Sequence, residues 1–178
     1  MQKIVKKMDK SKLLILLLLL ISLLALGVAA LALLKGDSGP TLTPDYAPQE
    51  TEPHAETIPD DSGDKMEKPE GGGSVSLTYS NKVTIDLSDK MASVYFANPG
   101  KSNQDMVIQI SIQDTVILQS GTLKPGQQVK LLDLLEGSEK LLQPGGYTGK
   151  FVVLYYDQDS GEKAMVNTEI PVTINVVE

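Results

Sequence analysis

The chain has 178 residues, with 23 acidic residues against 16 basic ones, a single histidine and no cysteine. The absence of cysteine excludes a disulfide framework. The formal net charge is −7 and every basic residue is a lysine, which disfavours nucleic acid as a partner because phosphate binding requires a basic surface.

The N-terminal region combines a basic tail with a long apolar run. Residues 1–12 contain five lysines and are predicted to be a cytoplasmic tail, while residues 13–34 are almost entirely apolar. As a helix, this run extends roughly 33 Å, which matches a hydrocarbon core of about 30 Å. Lysines are concentrated before the apolar run, and this excess of positive charge favours an N-terminus that stays in the cytoplasm. The sequence therefore predicts a single-pass transmembrane helix in the lipid of the plasma membrane, with the C-terminal part of the chain extracytoplasmic.

A cleaved signal peptide is the alternative interpretation of the same residues. Ala30-Leu31-Ala32 has the A-x-A form of a signal-peptidase site. The apolar part of a signal peptide is normally about 7 to 15 residues long, and here the apolar run continues past this site. The length favours an anchor, and cleavage to a secreted soluble domain remains open.

Residues 35–73 are predicted to be a disordered, acidic, proline- and glycine-rich linker. Residues 36–73 contain ten acidic residues, two lysines and six of the ten prolines, with few large apolar side chains. Such a composition cannot bury enough surface to offset the entropy of ordering. His54 falls in this segment without neighbouring metal ligands, so we expect no metal or catalytic role for it.

Residues 74–178 have the alternation and turn residues of an all-β domain. Met106, Ile108, Ile110 and Ile112 alternate with polar residues, which predicts one buried and one solvated face. About 105 residues in seven or eight strands fit one antiparallel sandwich. The predicted strands are Val75 to Tyr79, Val83 to Leu87, Ala92 to Ala97, Met106 to Gln113, Val116 to Ser120, Val129 to Leu134, Tyr147 to Tyr156 and Met165 to Val177.

One short motif specifies the predicted sandwich further. Leu142, Pro144, Gly145 and Tyr147 form an L-x-P-G-x-Y pattern ahead of a strand. The pattern resembles the tyrosine corner of immunoglobulin-like sandwiches, in which a tyrosine hydroxyl bonds to backbone upstream. The chain has neither the cysteines nor the tryptophan of antibody domains. The expected fold is therefore immunoglobulin-like, of the fibronectin III-like type.

A wider resemblance covers residues 91–178. The succession Phe96-x-Asn98-Pro99, Val107 to Asp114, Gln119-Ser120-Gly121-x-Leu123-x-Pro125-Gly126 and Leu142-x-Pro144-Gly145-x-Tyr147 carries it. It is similar to the small, mostly uncharacterised β-sandwich ectodomains that Gram-positive, Firmicutes-type bacteria carry on membrane anchors. The resemblance implies a location at the cell surface and a β-sandwich fold, and it supplies no functional residue.

Catalysis and cofactor binding are not expected. Residues 74–178 contain neither histidine nor cysteine, so a thiol–imidazole pair or a Ser-His-Asp arrangement is unavailable there. The best cation candidate is Asp157 to Glu162, with carboxylates two residues apart. An EF-hand calcium loop has glycine at position six, whereas this loop has it at position five. A simple turn is favoured, and calcium binding remains an open alternative.

A partner-binding patch is predicted on the outer face of the sandwich. If Tyr147, Phe151, Val153 and Tyr155 point inward, period two directs Val152, Leu154 and Tyr156 outward, with Val107 beside them. Exposed contiguous apolar area often marks an interaction site. Pro171 in the last strand cannot donate to a ladder, which suits an edge where its nitrogen faces solvent. Side-chain docking is therefore favoured over strand addition.

These observations predict a noncatalytic module at the cell surface. The expected role is protein interaction or structure, as an accessory subunit of a surface or transfer complex, with a protein partner. A ligand-sensing or calcium-dependent binding domain is the alternative. The sequence specifies neither the partner nor the oligomeric state.

Overall fold

The computed structural model describes residues 11, 14–23, 43–61 and 63–178. Residues 14–23 form a helix whose side chains are exposed, and within it the hydroxyl of Ser22 donates to the carbonyl of Leu19 at 2.9 Å. None of the helices in these ranges combines the length and apolar character needed to cross a membrane. The predicted spanning helix coincides with described residues only over 14–23. Residues 13 and 24–34, and the predicted tail apart from Ser11, lie outside them.

The described part of the β domain contains nine strands. The strands are β1 (Glu56–Thr57), β2 (Thr78–Tyr79), β3 (Lys82–Asp86), β4 (Met91–Asn98), β5 (Gln104–Ile112), β6 (Thr115–Gln119), β7 (Gln127–Asp133), β8 (Gly145–Asp157) and β9 (Lys163–Val177), with one 3-10 helix at Ser138–Leu141. Each predicted strand overlaps one of β2 to β9. β1 lies where no strand was predicted.

The strands form one curled sheet in the order β1-β7-β4-β3-β9-β8-β5-β6, with β2 paired to β4. A bridge between Leu118 and Leu134 brings β6 to the end of β7. The prediction of a mostly β domain is confirmed. The prediction of purely antiparallel pairing is wrong, because β3 and β9 run parallel. Side chains alternate in the same way in parallel and antiparallel strands, so the sequence pattern did not distinguish the two.

The core lies inside the curl of the sheet. On β5 and β8 the inward positions include Ile108, Ile110, Phe151 and Val153, which are fully buried. The rings of Phe96 and Phe151 meet edge to face, with centroids 5.7 Å apart. Such pairs contribute about 0.5–1.5 kcal/mol beyond the apolar area that they bury. The period-two pattern thus produces the inner face that it predicted. The solvated face predicted for β5 is wrong, because Gln109 and Ser111 are buried as well.

Tyr147 closes the turn that leads into β8. Its hydroxyl accepts from the backbone N–H of Gln143 and donates to the carbonyl of Gln143, both at 3.0 Å. Leu142 is buried beneath the turn. Gly145 has a φ of 149°, a conformation that favours glycine. The hydroxyl returns to upstream backbone, which is the contact characteristic of a tyrosine corner.

The predicted disorder of residues 35–73 is wrong wherever the structure describes this segment. Residues 43–58, here called the strap, run along the β domain, and β1 within the strap pairs with β7. Farther along the chain, the amide of Met66 donates to the carbonyl of Lys101 at 2.8 Å, and the amide of Ser74 donates to the side chain of Asn103 at 2.7 Å. Residues 35–42 and 62 lie outside the described part.

The prediction of disorder from amino-acid composition failed because the strap is held mainly by backbone hydrogen bonds. A composition argument counts the apolar surface that a segment can bury by itself. The strap instead supplies carbonyl and amide groups to strands that a distant part of the chain provides, and only small side chains such as Ala47 and Ala55 pack on apolar clusters. Its prolines also restrict the unfolded chain, which lowers the entropy lost on ordering.

Candidate functional site

The predicted partner-binding patch is buried. Val107, Leu154 and Tyr156 are each 0% exposed, and Val152 is half-buried beside them. They form an apolar cluster separate from the main core, so the outward direction deduced from period two was right. Their predicted exposure is wrong, because the strap covers them and Ala47 packs on the cluster. The patch is therefore an internal contact and offers no free surface.

Backbone groups of the strap fasten it over this cluster. The hydroxyl of Tyr156 donates to the carbonyl of Pro44 at 3.2 Å. The amide of Ala47 donates to the carbonyl of Gly161, and the amide of Lys163 donates to the carbonyl of Asp45, both at 2.8 Å. Burial, together with the negative charge of Asp45, raises the pKa of Tyr156 to about 12. The start of the strap is thus joined to the β8–β9 turn.

A second fastening lies at Glu52, whose side chain is almost fully buried. Its carboxylate accepts from the amide of Gly121 at 2.8 Å and from the amide of His54 at 3.0 Å. The imidazole of His54 in turn lies 3.1 Å from the carboxylate of Asp133 on β7, in an exposed position. His54 therefore has a surface partner that the sequence did not indicate, and its role here is to hold the strap.

The Asp157–Glu162 loop, which the sequence left open as a calcium site, binds the ammonium group of a lysine. The ammonium of Lys68 lies 2.7 Å from the carboxylate of Asp157 and 3.1 Å from that of Asp159. The other Asp157 oxygen accepts from the amides of Asp159 and Ser160. Lys68 holds the pKa of Asp157 well below its ordinary value of 3.8. Within the described ranges, no three acidic or histidine side chains converge as metal ligands.

Lys68→Met should raise the pKa of Asp157, because the largest cause of its lowering is removed while the two amide donors remain. A lowered carboxyl pKa stabilises the fold above about pH 3.8, and this contribution is lost as the pH falls through the lowered value. In Lys68→Met this contribution should be smaller, and its loss should be complete at a higher pH. Acid titration followed by the ¹³C shift of the Asp157 carboxyl group measures the change.

Lys90→Met is the matched control, since Lys90 pairs with Glu139 elsewhere on the surface. It should leave the Asp157 titration unaltered. Calcium added to the native chain should also leave the Asp157 shift unchanged, because the Lys68 ammonium already contacts both carboxylates. A calcium-dependent shift in the native chain, or identical titrations in all three chains, would contradict the assigned role of Lys68.

The N-terminal half of β9 has an open edge. The amide of Thr173 donates to the carbonyl of Asn81 at 2.8 Å, so Thr173 faces β3. The register with β8 is continuous from Asn167 to Thr173, and backbone direction alternates along a strand. Asn167, Glu169 and Pro171 therefore present their backbone groups on the same side. β3 pairs only with Thr173–Val177, and no described strand pairs with this side of Asn167–Val172.

A groove of about 740 Å³ lies beside this edge. Its walls are the Gly71–Gly73 stretch and the start of β9, and Val75, Tyr155 and Ala164 contribute apolar lining. A bulge shapes the β9 wall: between the pairs Leu154–Asn167 and Tyr156–Lys163, three residues of β9 oppose one of β8. In this bulge Met165 is fully exposed and Val166 is 68% exposed. The groove is thus bordered by both unpaired backbone and exposed apolar side chains.

Sequence reasoning missed this groove. It placed Met165 and Val166 inside a regular strand, although adjacent apolar residues interrupt the alternation that Glu169–Val176 follows strictly. That interruption is the available signal of a bulge. The missing N–H of Pro171 does face the open side, as the sequence analysis expected of an edge.

No family model matches the chain, and no curated protein matches it. Among solved structures, it is similar to AggA, the major subunit of aggregative adherence fimbriae type I from Escherichia coli. The sequence identity is 11% and the TM-score is 0.28, over 63% of this chain and 100% of that chain. At these values the likeness carries no argument about function.

Proposed function

We propose that this chain is a single-pass membrane protein whose β domain is an extracytoplasmic interaction or structural module without catalytic activity. The observation that carries the proposal is the apolar run of residues 13–34 directly after five lysines. Of this run, the structure describes residues 14–23 as a helix, whose leucine and isoleucine side chains are 55–73% exposed. The strap belongs to the β domain. The linker between the apolar run and the β domain is therefore proposed to be residues 35–42 in place of residues 35–73.

The proposed role as an interaction module rests on the contacts of the side chains that were candidates for metal binding or catalysis. His54 is paired with Asp133 at the strap surface, and Asp157 is held by Lys68 and backbone amides. Because these side chains are bonded to other groups of the domain, we assign them a role in stability and not in proton transfer or metal binding. The open edge of β9 supplies unpaired backbone instead, which suits recognition of another protein.

We also propose that the domain is immunoglobulin-like and related to the small membrane-anchored ectodomains of Firmicutes-type bacteria. The hydroxyl of Tyr147 bonded to Gln143 supports the first part. The motif succession over residues 91–178 supports the second. A backbone structure of a named member of that group with the same strand order would test both.

Fractionation of cells tests the anchor. The full-length chain should remain in carbonate-washed membranes and should be digested by protease added outside intact cells, because a helix of about 30 Å spans the lipid. A variant lacking residues 13–34 should leave the membrane fraction. As a control, glutamine at Lys3, Lys6, Lys7, Lys10 and Lys12 should preserve membrane retention and weaken the uniform orientation. Recovery of a mature chain from the medium, cut after Ala32, would support the secreted alternative instead.

A further inference from the structure

We infer that the groove beside β9 binds an extended, apolar segment of a partner protein, which pairs as a strand with the open edge at Asn167–Pro171. The inference rests on the proposed function, because it names the binding site of the interaction module. The binding site is thus assigned to the groove beside β9, which is open, and not to the predicted partner-binding patch, which the strap covers.

The backbone at this edge specifies the kind of ligand. The N–H groups of Asn167 and Glu169 and the carbonyls of both residues point away from β8 and have no strand partner among the described residues. An extended peptide carries donors and acceptors at the spacing that such an edge requires. The pairing would continue the ladder that β3 begins at Thr173. Since Pro171 donates no hydrogen bond, the added strand is short.

The side chains around the groove specify an apolar segment. Val75, Tyr155 and Ala164 line it, and Met165 and Val166 project at its rim. Two of the charged groups nearby are already paired, whereas Glu162 and Lys163 line the end of the groove at the β8–β9 turn. Lys68 bonds to Asp157 at one end, and Glu169 pairs with Lys150 at 3.1 Å. A ligand that inserts apolar side chains beside Val75, Ala164 and Val166 therefore meets apolar surface, and the charges of Asp157 and Glu169 keep their lysine partners.

Photocrosslinking in the producing cells tests the inference on the full chain. A photoreactive phenylalanine analogue replaces Met165, whose side chain is fully exposed, and the adduct is mapped by mass spectrometry. We expect a crosslink to a partner protein, in a segment with apolar residues at alternate positions. Val166→Asp in the same chain should lower the adduct yield about tenfold, which corresponds to about 1.4 kcal/mol. The same analogue at Leu131, exposed on β7, should not give this adduct.

Other adducts would overturn the inference. A crosslink to lipid, to a second copy, or to another part of the same chain would identify a different occupant. Absence of any adduct, or a yield that Val166→Asp does not change, would also overturn it. Fractionation separates this failure from failure of the proposed function. A chain retained in the membrane without the adduct refutes the groove alone, whereas a chain secreted after cleavage refutes the anchor whatever the groove binds.

Discussion

Leu154→Asp should leave little folded β domain. The side chain of Leu154 is 0% exposed between the sheet and the strap. An unpaired carboxylate there costs several kcal/mol, and loss of the leucine packing adds about 2–5 kcal/mol. The whole stability of a domain is commonly about 5–15 kcal/mol. A surface-patch interpretation of Leu154 predicts the opposite, namely an intact fold that has lost a partner.

Urea denaturation of the full-length chain, followed by far-UV circular dichroism, measures the effect. Met165→Asp is the matched control, since Met165 is fully exposed and exposed substitutions usually change stability by less than about 0.5 kcal/mol. Tyr156→Phe should be intermediate, because it removes only the hydrogen bond to Pro44, worth about 1 kcal/mol. Equal denaturation midpoints for the two aspartate variants would show that the strap does not cover Leu154 in solution.

The strands and their inner faces could be predicted because alternation encodes which side chains face the core. In β8, Phe151 and Val153 were assigned inward and are buried with the core, while Leu154 and Tyr156 were assigned outward and do lie on the other face. Alternation does not encode what covers an outward face. The covering group, Ala47, is more than a hundred residues earlier in the chain and belongs to a segment without period.

The strap and the groove escaped prediction for related reasons. The strap is joined to the domain through backbone groups, as in the bond from Ala47 to Gly161, and backbone bonding has no residue signature. The groove arises where β3 pairs with only the last part of β9. Strand partners and their extent depend on the whole topology. Only the bulge at Met165 has a local signal, and it is visible once the strict alternation after Glu169 is noticed.

Gly121→Ala should release the strap from the sheet. A Cβ atom at Gly121 would lie 2.6 Å from the amide nitrogen of Glu52 and 2.7 Å from the carbonyl carbon of Thr51. Both are backbone atoms, so no flexible side chain can move aside. The strap must shift, and the bonds that Glu52 makes to Gly121 and Thr122 are weakened. Overpacking of this kind typically costs about 1–3 kcal/mol.

Two measurements follow strap release separately from unfolding. A glutamate-specific protease should cut faster at Glu50 and Glu56, and the pKa of the Tyr156 phenol should fall from about 12 toward its ordinary value of 10.0 as water reaches it. Circular dichroism should retain the β signal, since Phe151 and the inner core are untouched. Gly146→Ala is the control, because a Cβ there meets nothing within 4 Å. Native protease resistance in Gly121→Ala would mean that the sheet accommodates the methyl group without moving the strap, and the fastening at Glu52 would then be weaker than its geometry indicates.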